Sequence, residues 1–234
     1  MATLKMGSTT VITESSGALT FTGGKLFHGM TSITATGATT WTKPTGVTAI
    51  MVYITGGGGG GGAGAQNYNS FGGGGAGGTA IKWITSGIGS NETVTIGTGG
   101  AGGASVNAVG VRGVTSSFGS HFTATGGYGG CAEVAMAAYG DSDRGNGVDG
   151  DINIFGGDGQ QYMGGDESTD RAGGSIGGGS YWGTGGMGGH SNGSSPGRPG
   201  RSYGSGGGGG DGDTSTFGNG GAGKSGICVI YMYS

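Results

Sequence analysis

Hydrophobic and polar positions alternate with a period of two in only a few short stretches of this chain. Residues 47–55 (VTAIMVYIT) and 227–233 (ICVIYMY) are apolar at both parities, which predicts strands covered on both faces in the interior of a sheet. Further strands are expected at 79–85 (TAIKWIT) and 92–96 (ETVTI), with a weaker one within 117–125, and shorter alternating stretches occur at 9–13 and 18–22 in a Thr-rich N-terminal part. From 126 to 226 strand periodicity almost vanishes. Because an interior strand then closes the chain, that region is expected to be an excursion from a β core, and 227–233 is expected to pair near 47–55. The single helix candidate, 131–139 (CAEVAMAAY), is short and uncapped and reads equally well as a buried loop.

Between the strands the repeat is three. Residues 74–79 read GGAGGT, 99–104 GGAGGA, 126–131 GGYGGC and 185–190 GGMGGH. Three residues per turn is the period of polyproline II, a shape open to glycine. A helix lacking Cβ on two of its three edges approaches its neighbours closely enough for backbone groups to pair. The segments 72–78, 99–103, 126–130, 156–159, 173–179 and 185–189 are therefore expected to be extended and hydrogen-bonded to one another. Composition bears on this, since 69 of 234 residues are glycine and such chains are commonly flexible. A net charge of −3 is too small to keep the chain expanded. Ordering each residue costs about 1–2 kcal/mol, so dense backbone hydrogen bonds at about 0.5–1.5 kcal/mol each must offset it. Three prolines and broken triplets exclude collagen. The expected fold is mainly β: a small sandwich-like β core with glycine-rich loops and polyglycine II-like helices packed on it.

Charge and motifs remove several function classes. The ten Lys and Arg are too dispersed for a nucleic-acid surface, and no run of 18 apolar residues or apolar leader occurs, so a soluble chain made in a cytosol is expected. Cys131 and Cys228 have no metal-ligand spacing and read as buried small apolar residues. Residues 218–225 (GNGGAGKS) satisfy the phosphate-binding loop pattern, but a strand follows where that motif needs a helix. Eight of the 13 acidic residues lie between Asp141 and Asp170. Asp149, Asp151 and Asn153 begin a calcium loop, yet Ile154 stands where Gly is required and Gln160 where Glu is. A solvated acidic surface is the simpler reading. His28, His121 and His190 are isolated in sequence, so neither an enzyme, a cofactor nor a metal is expected.

The ordered series 41–62 (WTKPTGVTAIMVYITGGGGGGG), 72–85 (GGGGAGGTAIKWIT), 93–103 (TVTIGTGGAGG), 115–130 (TSSFGSHFTATGGYGG) and 218–233 (GNGGAGKSGICVIYMY) resembles the glycine-rich domain at the distal end of many bacteriophage tail fibres. The interior, 131–217, is similar in style to the glycine-rich adhesins that cap the long tail fibres of T-even phages. The resemblance implies a virion protein assembled in the host cytoplasm, with residues 1–40 as an arm joining other virion tail proteins. Residues 41–234 would then be a receptor-binding domain with variable loops mainly in 131–217. It also implies a homotrimer, with a monomer capping a trimeric fibre as the alternative, and a bacterial surface receptor, either glycan or outer-membrane protein, without nucleic acid or membrane insertion. The rival reading is a virion decoration or a polyglycine II-type ice-binding protein that recognises no receptor.

Aromatic placement agrees with a display function. Tyr68, Phe71, Tyr139, Phe155, Tyr162, Tyr181, Trp182 and Tyr203 sit among Gly, Ser, Asn and Asp without strand or helix period, whereas Trp41, Tyr53, Trp83 and Tyr231 fall on strands and read as core. Loop Tyr and Trp beside Ser, Gly and Asn have the composition of a paratope. With Asp141, Asp143 and Arg144, the loop aromatics form the candidate receptor-binding set, each weighed equally against a role as a plug under a loop.

Overall fold

The computed structural model describes residues 3–6, 9–15, 18–21, 26–64, 71–131, 144–160, 174–190, 195–212 and 216–234. The strands are β1 (Thr3–Met6), β2 (Thr9–Ser15), β3 (Ala18–Phe21), β4 (Phe27–Ile33), β5 (Gly37–Thr42), β6 (Ala49–Thr55), β7 (Thr79–Ile84), β8 (Asn91–Ile96), β9 (Ser116–Phe118), β10 (Phe122–Ala124), β11 (Gly147–Val148), β12 (Ile152–Ile154) and β13 (Ile227–Tyr233). β1–β3 form a three-stranded sheet in sequence order. Two five-stranded antiparallel sheets, ordered β12-β7-β6-β13-β4 and β11-β10-β9-β8-β5, share one hydrophobic core. The expected C-terminal strand is interior: β13 pairs with β6 from Ile227↔Thr55 to Tyr233↔Ala49, and with β4 on its other edge. β4 and the start of β5, within the Thr-rich N-terminal part, are strands of this sandwich. β11 and β12 interrupt the stretch in which no strand period is visible.

Parity explains the core. Ile50, Val52 and Ile54 of β6 and Cys228, Ile230 and Met232 of β13 meet Trp41, Val94, Ile96, Phe118 and Phe122 of the opposite sheet. Burial of each such side chain stabilises by about 1.5–3 kcal/mol. The opposite parity of the same strands carries Met51 and Tyr53, and Tyr231 and Tyr233, all half-buried, with Ile227 and Val229 buried at the start of β13. Of the aromatics read as core, only Trp41 is buried (5% exposed), while Trp83 is 38% exposed and lies with Tyr53 and Tyr231 on the outer face. Apolar residues on both faces of a strand did not distinguish a second covering layer from an aromatic outer face. Cys131 and Cys228 are both buried and form no disulfide. Burial pushes the Cys228 thiol well above its usual range.

No helix occurs among the described residues, so the polyglycine II-like helices expected from the triplets are not seen as elements. What the glycine segments form is a hydrogen-bonded lattice that continues β6 out of the sandwich. Gly56, Gly59 and Gly62 donate to Gly78, Gly75 and Gly72. Gly57, Gly60 and Ala63 donate to Val114, Val111 and Ala108, and Gly58, Gly61 and Gly64 donate to Lys224, Gly221 and Gly218, all at 2.8–3.1 Å. These three neighbours run antiparallel to 56–64. Three parallel neighbours donate to the same segment: Gly100 and Gly103 to Gly58 and Gly61, Gly127 and Gly130 to Gly57 and Gly60, Gly207 and Gly210 to Gly59 and Gly62. Segment 56–64 is thus enclosed by six others, bonded in rotation every third residue. Segment 204–212 is likewise bonded to 56–64, 71–78, 174–179, 185–189, 195–200 and 218–226.

The requirement for glycine follows from this approach. A Cβ at Gly57, Gly58, Gly59, Gly60 or Gly61 would fall on the carbonyl oxygen of Thr98, Ser205, Tyr128, Ala101 or Gly208. In the outer segments every third side chain points away, as at Ala101, Val111, Val114, Ile176 and Met187, which are exposed. The phosphate-loop look-alike is one of these lattice segments. Gly218, Gly220, Gly221, Gly223 and Lys224 donate their N–H groups to Asp211, Gly103, Gly208, Gly100 and Ser205, so no open cradle of donors is left.

Gly59→Val is expected to destabilise by about 4 kcal/mol or more, because a branched side chain must displace the Tyr128 backbone. Ala101→Val, on the exposed edge of the lattice, should change stability by about 0.5 kcal/mol or less, both read from denaturant midpoints. Deleting residues 227–234 removes the strand between β4 and β6 and should abolish soluble folded protein, scored by expression and circular dichroism; a normal melting curve would show the strand to be dispensable.

Candidate functional site

Segment 174–179 climbs the lattice toward the sandwich and reverses at Ser180–Gly183, where each residue's N–H donates to the other's carbonyl at 2.8 and 3.2 Å. Gly183 has φ 145°, a conformation that favours glycine. Tyr181 and Trp182 form the tip. The Ser180 hydroxyl donates to the Tyr203 carbonyl at 2.6 Å and accepts from the Trp182 N–H at 3.2 Å, tying this turn to the neighbouring 202–204 turn.

The tip leans on the outer face of the sheet. Trp182 Nε1 donates to Thr55 Oγ1 at 2.8 Å, and Thr55 shares a 2.8 Å hydroxyl–hydroxyl bond with Thr79, both threonines being buried. Tyr53 stands with its ring centroid 6.1 Å from Tyr181, 6.4 Å from Trp182 and 5.7 Å from Tyr231, and Tyr181 meets Trp182 edge-on at 5.1 Å. On the same sheet Trp83 lies 4.9 Å from Tyr233, which meets Phe27 at 6.1 Å. Phe27 (64% exposed), Trp83 and Tyr181 (49%) thus offer open ring surface over a rigid sheet. Aromatic rings fixed this way supply contact area at little entropic cost.

A second group combines Arg144, Phe155 and Asp158. Arg144 Nη1 bonds Asp158 Oδ2 at 2.7 Å while its guanidinium lies 4.9 Å over the Phe155 ring, which is 59% exposed. Phe71, by contrast, is buried at 2% exposure against Gly62, and takes the role of a plug within the lattice. Tyr203 is half-buried. Tyr68, Tyr139, Asp141, Asp143 and Tyr162 lie outside the described residues.

Tyr53, Trp83, Tyr231, Tyr233 and Phe27 were absent from the sequence-derived set. A partial signal existed: along β6, β7 and β13 the aromatics all occupy odd positions, and the buried aliphatic side chains Ile50, Val52, Ile54, Ile84 and Ile230 even ones, although Ile227 and Val229 are buried at odd positions of β13. The calcium-loop look-alike is a turn closed on itself. Asp151 Oδ2 accepts the Trp83 N–H at 2.8 Å, and the Asn153 side chain bonds both the N–H and the C=O of Gly150 at 3.0 Å. Among the described residues no group of three His, Cys, Asp or Glu side chains is placed to hold a metal. His121, isolated in sequence, meets Glu92 at 3.2 Å and stacks on Phe118, bracing the β9–β10 turn.

Burial first, then the neighbouring Tyr181, Tyr231 and Tyr233, holds the Tyr53 phenol above the ordinary tyrosine value of 10.0. Its contribution to stability is therefore full below pH 10.0 and lost as pH rises through the folded-state value. Absorbance titration should show a tyrosine that ionises late and disappears in Tyr53→Phe. Trp182→Phe, which orphans Thr55 of one donor, should lower stability by about 1 kcal/mol in thermal melts without unfolding the sandwich.

Comparison with curated proteins finds no match. A family model described as a glycine-rich domain matches residues 33–233, which takes in the lattice and all of the sandwich but β4. The chain belongs to this glycine-rich domain family.

Proposed function

We propose that the chain is a bacteriophage tail-fibre adhesin that attaches to a bacterial surface receptor, glycan or outer-membrane protein, through side chains displayed on the glycine lattice. One observation carries this reading. The segment ends at 64 and 71, 131, 160 and 174, 190 and 195, and 212 and 216 gather at the lattice end remote from the sandwich, while the end at 144 lies beside Ala76 on the sandwich side. The gathered ends are brought together by bonds such as Gly64–Gly218, Gly72–Cys131, Gly73–Gln160, Gly174–Gly189 and Asp211–Ser195. A stiff lattice that brings the starts and ends of so many connections to one end suits a display scaffold. The sequence joining those ends contains Tyr68, Tyr139, Asp141, Asp143 and Tyr162. The ordered resemblance to the glycine-rich domain of tail fibres points the same way.

In this reading the part of residues 1–40 that precedes β4 joins the protein to other tail proteins of the virion, and three copies assemble as tail fibres do. The glycine segments are polyglycine II helices, since antiparallel and parallel neighbours bonded every third residue are what that helix produces in a packed array. Experimental φ/ψ values clustering in the polyproline II region would support that assignment, and scattered values would refute it.

Fluorescently labelled protein should bind a subset of strains in a bacterial panel. Tyr139→Ala with Asp141→Ala, and separately Tyr181→Ala or Phe155→Ala, should weaken cell binding by roughly 30-fold, the equivalent of about 2 kcal/mol, in at least one case while the melting curve is kept. Lys224→Ala is the control expected to bind normally. Absence of binding to every strain carrying the virion's receptor would leave a decoration protein as the better account.

A further inference from the structure

Segments 174–179, 185–189 and 195–200 lie side by side as an outer layer of the lattice, joined by Gly174–Gly189, Gly177–Gly186 and Arg198–Met187 backbone bonds. Between them runs a groove of about 800 Å³ whose walls include Ile176, Met187, His190, Pro196, Arg198 and Arg201. Gly174, Gly188 and Gly189 contribute main chain to the groove, a Cβ at each meeting neighbouring backbone, and Pro196 and Pro199 add apolar ring surface. Ile176 and Met187 are 45% and 52% exposed and give the groove apolar walls.

The charge that the described residues bring to this groove has one sign. Arg198, Arg201 and His190 are exposed and make no ion pair or side-chain hydrogen bond with any described residue, and no carboxylate is among the described residues lining the groove, in a chain whose net charge is −3. Arg198 projects from a fixed point, because its N–H donates to Met187 and its C=O accepts from Gly208, at 2.7 and 2.9 Å. A guanidinium anchored in this way presents a planar fork matched to a carboxylate or phosphate. We propose that this groove binds an anionic saccharide, its acidic group held by Arg198 and Arg201 and its ring laid against Met187 and Pro199. As part of the receptor contact the groove rests on the adhesin reading; as a saccharide site it stands by itself.

Titration calorimetry with the full chain tests it, using mannose 6-phosphate, trigalacturonate and neutral maltotriose as probes. At least one acidic probe should bind, with the neutral one at least 10-fold weaker, and the tighter acidic probe tells phosphate from carboxylate as the natural group. Affinity should fall as salt is raised. Arg198→Ala with Arg201→Ala should lower affinity at least 10-fold while the melting temperature is unchanged. No binding of either acidic probe, equal binding of maltotriose, or unaltered binding by the double variant would overturn the proposal. Failure of the adhesin reading would look different: arginine-dependent saccharide binding by a protein that attaches to no bacterial strain.

Discussion

Backbone N–H groups in 56–64 donate in rotation to three neighbouring segments, and the rest of the molecule is arranged around that requirement. Each bond contributes about 0.5–1.5 kcal/mol net, close to the 1–2 kcal/mol that ordering its residue costs, so the lattice is near neutral by itself. Its stability depends on two further conditions. The segments must pack without Cβ atoms between them, which adds dispersion contacts along their length. They must also be tethered to something independently folded. The sandwich meets the second condition, since β6, β7, β8, β10 and β13 each run straight into or out of a lattice segment and fix its starting register.

This division of labour separates stability from surface chemistry. Aliphatic and aromatic side chains between the two sheets stabilise the fold, and glycine main chain propagates it outward, so outward side chains in the lattice are released from any packing duty. Ile176, Met187 and Arg198 stand on adjacent outer segments, where their replacement leaves the hydrogen bonds intact. The aromatic face of the sheet is a different case. Tyr53, Trp182 and Tyr231 support one another and the Thr55–Thr79 pair beneath them, so a change at Trp182 acts on both structure and surface, whereas Tyr181 at the tip acts mainly on surface.

Periodicity was legible where it was local. The strands at 47–55, 79–85, 92–96 and 227–233 appear within two residues of their expected bounds, and the interior position of the last follows from its apolar faces. The two-residue and three-residue strands β11 and β12 were not legible, being too short to show a period; pairing with β10 and β7 creates them. In the candidate site, Tyr181 and Trp182 were found from their loop setting. Phe71 in the same setting is enclosed, and Tyr53, Trp83 and Tyr231 in strands face outward. Exposure depends on which layer lies over a residue, and local pattern carries no record of that.

The sequence alone determined that glycine triplets alternate with a few strands, that the interior strands are apolar at both parities, and that the chain must return to its β core at 227–233. These are consequences of side-chain size and spacing along a single segment. Only the tertiary structure decided which six neighbours enclose 56–64, their parallel or antiparallel sense, and the meeting of Arg198, Arg201 and His190 in one groove. Glycine segments are nearly identical to one another, so no side chain specifies a partner. The pairing is selected by where the sandwich launches each segment and by the three-way rotation of hydrogen bonds that follows.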